Sequence, residues 1–125
     1  MKVFLDTHAL VAVWERRIEL FGKASRDLLE SGVRLYSGVV PLELAILREV
    51  GKLAVAPNEI LGDLARHWGI TASPDALFDV AERSADFAWT RDPFDRLIVA
   101  TAAIHDAPLV TRDEIISANY EKAVW

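Results

Sequence analysis

The sequence contains no cysteine, so it can form neither disulfides nor thiolate metal sites. It has no apolar run near the ~20 residues that a membrane span requires. Met1-Lys2 leads straight into a strand-like run too short for the hydrophobic region of a targeting signal, and a soluble, cytoplasmic protein with no membrane partner is expected. Positive charge is also in short supply. Fourteen Lys and Arg against 19 Asp and Glu leave a formal charge of −5, which argues against a surface that grips nucleic acid by bulk electrostatics. A local basic rim remains available in Arg91, Arg96 and Arg112, each beside an acid. Any nucleic-acid partner would then need a metal to offset those acids. Repeats, low-complexity tracts and linkers are missing as well, and 125 residues suffice for one domain, 1–125, whose core needs no staples.

Against these absences stands one dense stretch, Thr90-Arg91-Asp92-Pro93-Phe94-Asp95-Arg96, followed by the apolar or small run Leu97 to Ile104, in which Thr101 alone carries a hydroxyl. Asp92 can cap a helix and Pro93 suits its first position. A helix apolar on nearly all sides is a buried one. Its first turn nevertheless carries Asp95, and a carboxylate at the mouth of a buried helix must be hydrogen-bonded, paired or bound to a cation.

The rest of the chain alternates strands and helices. Lys2 to Leu5 reads as a buried strand, followed by a turn at Asp6-Thr7-His8 and a helix from Ala9 to about Trp14. A second helix, 22–30, turns Leu28 and Leu29 inward and stops at Gly32; strand 33–37 follows. Pro41 opens a third helix, with Glu43 the lone acid in its apolar first turns, and Gly51 closes it. Residues 58–68 read as a helix ended by Gly69, and 70–72 as a short strand. Ser73-Pro74-Asp75 looks like a start signal for a helix that buries Ala76, Leu77, Val80 and Ala81. Beyond the central helix, Leu109-Val110-Thr111 is a strand, 114–120 holds one helical turn, and 123–125 adds an edge strand. This alternation predicts an α/β fold, a central parallel β-sheet flanked by helices on both faces. In such sheets ligands bind outside the C-terminal strand ends.

Asp6, Glu43, Asp95 and Asp113 all fall just after a strand or in the first turn of a helix. Taken singly, each reads as a cap or a complement to the helix dipole. Taken together they crowd one sheet edge, where mutual repulsion raises their pKa values unless a cation neutralises them. Oxygen-only ligands favour Mg²⁺ or Mn²⁺; Zn²⁺ is disfavoured without Cys or a His pair. His8, with no second His nearby, reads as a packing or hydrogen-bonding residue, and His67 and His105 receive no role. Trp14 and Trp68 read as core or interface, and packing is also preferred for Trp89 over contact with RNA.

Four segments in order, Leu5-Asp6-Thr7-His8-Ala9-Leu10, Pro41-Leu42-Glu43-Leu44-Ala45, Arg91-Asp92-Pro93-Phe94-Asp95-Arg96-Leu97 and Leu109-Val110-Thr111-Arg112-Asp113, resemble the PIN-domain ribonucleases, and more narrowly the VapC-type toxins of bacterial toxin-antitoxin pairs. The resemblance implies a single PIN-like domain and Mg²⁺-dependent hydrolysis of RNA, with Asp6, Glu43, Asp95 and Asp113 as the catalytic, metal-binding acids. Thr111 falls where a hydroxyl supports the site, and it is grouped with Arg96 and Arg112 as substrate-binding residues. The alternative for both arginines is a surface ion pair with neighbouring acids, slightly preferred for Arg112. The resemblance also implies a homodimer and a cognate antitoxin, with a groove at Trp14, Leu20 and Phe21, and contact with DNA only through that antitoxin.

Other readings predict different residues. A receiver domain needs a phosphorylatable Asp after a middle strand and a late Lys, and a DxD phosphatase needs a second Asp where His8 stands. A catalytically silent PIN-like binding module would have no use for all four acids. A DNA-directed metal nuclease of the flap type would need further acids and helices for which 125 residues leave little room.

Overall fold

The computed structural model describes residues 1–125. Five short strands, β1 (Lys2–Leu5), β2 (Val33–Tyr36), β3 (Thr71–Ala72), β4 (Leu109–Val110) and β5 (Ala123–Val124), form one sheet in the order β3-β2-β1-β4-β5. Every pairing is parallel, with Phe4 opposite both Leu35 and Leu109, Leu5 opposite Val110, Tyr36 opposite Ala72, and Val110 opposite Val124. Parallel neighbours require crossovers, and seven helices supply them: α1 (Thr7–Trp14), α2 (Lys23–Ser31), α3 (Val40–Glu49), α4 (Pro57–Trp68), α5 (Leu77–Ser84), α6 (Pro93–Ile104) and α7 (Glu114–Asn119). Because such crossovers are right-handed, the leftward steps β1 to β2 to β3 place α1–α4 on one face. The return from β3 to β4 and β5 places α5–α7 on the other.

The core follows from this double cover. Val3, Phe4 and Leu5 of central β1 are all buried, as are Leu109 and Val110 of β4. Leu10 and Val13 of α1, Leu44 of α3, Ile60 and Leu64 of α4, and Ile98 and Val99 of α6 close on them from the helices. Helix α4 ends as its sequence directs: Gly69 adopts φ 62°, and its N–H and that of Ile70 bond the carbonyls of Ala65 and Leu64. At Gly32, a Cβ would stand 2.3 Å from Val3 Cγ2, so only glycine lets the end of α2 pass this close to β1.

Three expectations change. Ser73 and Asp75 do not start a helix: α5 is capped at Ala76 without a side-chain bond, and of the four residues expected to be buried only Val80 is, while Ala76, Leu77 and Ala81 are exposed. The reason is competition for the polar side chains. Asp75 accepts from Ser73 Oγ at 2.5 Å and from His105 Nε2 at 2.8 Å, so His105, expected to be idle, ties the end of α6 to the β3–α5 loop. Phe21, expected in a partner groove, is buried under Trp125, with ring centroids 4.6 Å apart. Trp14 is partly buried and donates its Nε1–H to Asp63 at 3.1 Å.

Candidate functional site

The strand order reverses at β1, and the C-terminal ends of β1 and β4 deliver Asp6 and Thr111 to the crevice there. Asp6 caps α1: its Oδ1 accepts from the Ala9 N–H at 2.8 Å. Its Oδ2 accepts from the Thr111 hydroxyl at 2.5 Å. Asp6 is 7% exposed, and that burial raises its pKa against the lowering effect of these two hydrogen bonds. The hydroxyl of Thr111 also accepts the Asp113 N–H at 3.1 Å, and Asp113 Oδ1 caps α7 by accepting from Ile116 N–H at 2.9 Å. One buried threonine therefore fixes the spacing between the first and fourth acids.

Glu43 enters from the first turn of α3, opened by Pro41, and accepts a hydrogen bond from the Thr7 hydroxyl of α1. Thr7 was missed from sequence, although it follows Asp6 directly; its partner lies 36 residues away. Asp95 enters from the first turn of α6. Asp92 caps that helix through the N–H groups of Phe94 at 2.9 Å and Asp95 at 3.3 Å. No hydrogen bond supports the Asp95 carboxylate, and every influence on it is unfavourable to charge. Burial pushes its pKa up to about 7, with further contributions from Asp92, Asp113, Glu43 and Asp6. Asp6, Glu43 and Asp113 thus all lie within electrostatic reach of Asp95.

They do not form a ready-made cage: no three acidic or histidine side chains converge closely enough to hold a metal ion. The donor set still suits a hard divalent cation, being all oxygen, with Asp6 and Asp113 anchored, Glu43 held by one hydroxyl, and Asp95 unrestrained by any hydrogen bond. Such a charge would oppose the burial and the repulsion that together raise the Asp95 pKa.

The expected substrate-binding residues separate. Thr111 is fully buried, and its hydroxyl bonds Asp6, so it supports the carboxylates from beneath. Arg96 is half-buried and gives its Nε–H to the Ser84 carbonyl at 3.3 Å. Arg112 is exposed and forms no ion pair with the neighbouring acids; its guanidinium lies over the Trp125 ring, 5.4 Å from the centroid.

Fold and site together define a parallel α/β domain that gathers four acids at the carboxyl edge of its sheet. The PIN-domain family model matches residues 3–122, and the chain belongs to that family, whose members are generally metal-dependent nucleases. Among solved structures it is similar to VapBC2 from Rickettsia felis, a complex bound to a DNA fragment from its promoter, with a TM-score of 0.67 and 18% identity over 99% of this chain and 96% of that one. No curated protein matches it.

Proposed function

We propose that the chain is a VapC-type toxin, an endoribonuclease that hydrolyses RNA phosphodiester bonds with Mg²⁺, or Mn²⁺ in its place. The observation that carries this reading is the gathering of Asp6, Glu43 and Asp113 around Asp95, whose carboxyl is raised to about 7 by burial first and then by the charges of Asp92, Asp113, Glu43 and Asp6. Asp6 and Asp95 would hold the cation, and Glu43 and Asp113 would complete the site. When bound, the cation supplies Lewis-acid polarisation of the phosphate and a water nucleophile active near neutral pH. The chain's own residues do the rest. Thr111 and the Ala9 N–H aim the buried Asp6 carboxyl and offset part of the effect of its burial. Thr7 holds one oxygen of Glu43, and either Glu43 or Asp113 orients the attacking water and accepts its proton.

The likeness to a VapBC complex supports an antitoxin as partner, with promoter DNA reached through that antitoxin, and we assign a homodimer and a cytoplasmic location on the same reading. The test is cleavage of a mixed set of RNAs, beside single-stranded DNA of the same sequences, by the antitoxin-free protein with Mg²⁺. Cleavage of RNA that is lost with EDTA and in Asp95→Asn is expected. Cleavage of DNA alone would replace this reading with a DNA-directed nuclease, and metal binding without cleavage of either would favour a silent binding module.

A further inference from the structure

We infer that Arg112, held over the face of Trp125, is a preformed subsite for a backbone phosphate of the strand that enters the acidic crevice. The inference rests on the nuclease reading and adds to it the residues that carry the flanking contact. Arg112 stands between Thr111 and Asp113, so its place relative to the acids is set by the same β4–α7 turn that positions them.

Its chemistry is the unusual part. An exposed arginine beside Asp113 and Glu114, in a chain of net charge −5, is expected to pair with one of them. The ion pairs of this protein engage Arg17, Lys23, Arg66, Arg83, His105 and Lys122, and Arg112 is in none of them. The other arginines near the acids each spend a donor on a backbone carbonyl: Arg91 Nη1 donates to the Ala88 carbonyl at 2.8 Å and Arg96 Nε to that of Ser84. Arg112 gives no hydrogen bond to the protein. It is held instead by Trp125, whose ring is itself packed on buried Phe21.

A cation–π contact with an aromatic face occupies none of the guanidinium N–H donors, and it lowers the rotamer entropy lost when an anion is bound. Phosphate is the anion whose geometry that fork matches. Arg112 and Trp125 share a small recess with His8, Ala9, Ala12 and Leu20, so it is lined by the residue next to Asp113 in the chain and by a residue two positions after Asp6. A strand whose reacting phosphate lies at the carboxylates can place a neighbouring phosphate on Arg112.

The experiment measures binding of a fluorescent single-stranded RNA 12-mer to the full chain carrying Asp95→Asn, which does not cut, at several salt concentrations. Adding Arg112→Ala is expected to weaken binding about fivefold and to reduce the slope of log K against log salt by about 0.7, the loss of one phosphate contact on a single strand. Adding Trp125→Ala, with folding checked by circular dichroism, is expected to weaken binding about threefold with the slope nearly unchanged, because the charge remains and its presentation is lost; Trp125→Phe should restore affinity. In the cutting protein, Arg112→Ala is expected to raise KM and spare kcat. Unchanged affinity and slope in Arg112→Ala, while the wild-type protein cuts RNA, would overturn the subsite and leave the nuclease reading standing. An Asp95→Asn protein that binds no RNA, together with a wild-type protein that cuts none, would remove both.

Discussion

Asp95 carries the clearest electrostatic mark of the acidic crevice. Its carboxyl titrates at about 7 when folded and at an ordinary 3.8 when not, so the folded chain holds the proton more tightly. The metal-free protein therefore loses stability as pH rises from about 4 to about 7. Asp95→Asn removes that loss: thermal melts without metal should show the variant's melting temperature raised at pH 8, with the gain shrinking toward pH 4. Thr111 has the opposite character. Thr111→Val leaves Asp6 buried without its hydroxyl donor and should cost about 1–3 kcal/mol by urea denaturation, whereas Thr111→Ser should keep most of the stability. The four acids were legible in sequence because each follows a strand or opens a helix. The threonine hydroxyls that aim them were only half legible, since Thr111 adjoins an acid it serves but Thr7 and Glu43 are 36 residues apart.

At the scale of elements, α6 carries a conflict between its cap and its cargo. Asp92 satisfies two N–H groups at the helix start, yet after burial it is the largest contributor to the raised pKa of Asp95. Cap and charge can be separated. Asp92→Ala should destabilise the protein by about 1 kcal/mol through loss of the cap. Asp92→Asn, which caps as well without the charge, should be neutral or stabilising in the same denaturation experiment. Elements with local signals matched their reading closely: Asp92-Pro93 at the start of α6, Gly69 at the end of α4, and the period-two-free apolar run of β1, which implied burial on both faces. Helix α5 did not, because Ser73 and Asp75, a good local start signal, are drawn away by His105 from the far end of α6. A residue 30 positions distant leaves no trace in a local pattern.

At the scale of the whole molecule, alternation of strands and helices implied a parallel sheet, and the sheet in turn explained why acids far apart in sequence share one edge. The strand order is set by long-range pairing, and local propensity does not reveal it. Global folding can be followed through the two tyrosines. Burial raises both, Tyr120 to about 12 with Asp106 adding to the effect and Arg83 opposing it, and the Tyr120 hydroxyl donates to the Ala107 carbonyl at 2.6 Å. The stability this gives is complete below pH 10, the ordinary tyrosine value, and is lost as pH rises toward 12. Ultraviolet titration should accordingly show Tyr120 largely un-ionised at pH 10.5 in the folded protein and its abrupt ionisation on unfolding. The central claim, that the four acids form a divalent-metal site, is tested most directly by calorimetric titration of the wild-type chain and of Asp6→Asn, Glu43→Gln, Asp95→Asn and Asp113→Asn with Mn²⁺. Saturable binding by the wild-type protein, lost in the Asp6 and Asp95 variants and weakened in the other two, is the predicted result; no binding by the wild-type protein, or binding that all four variants retain, would contradict it.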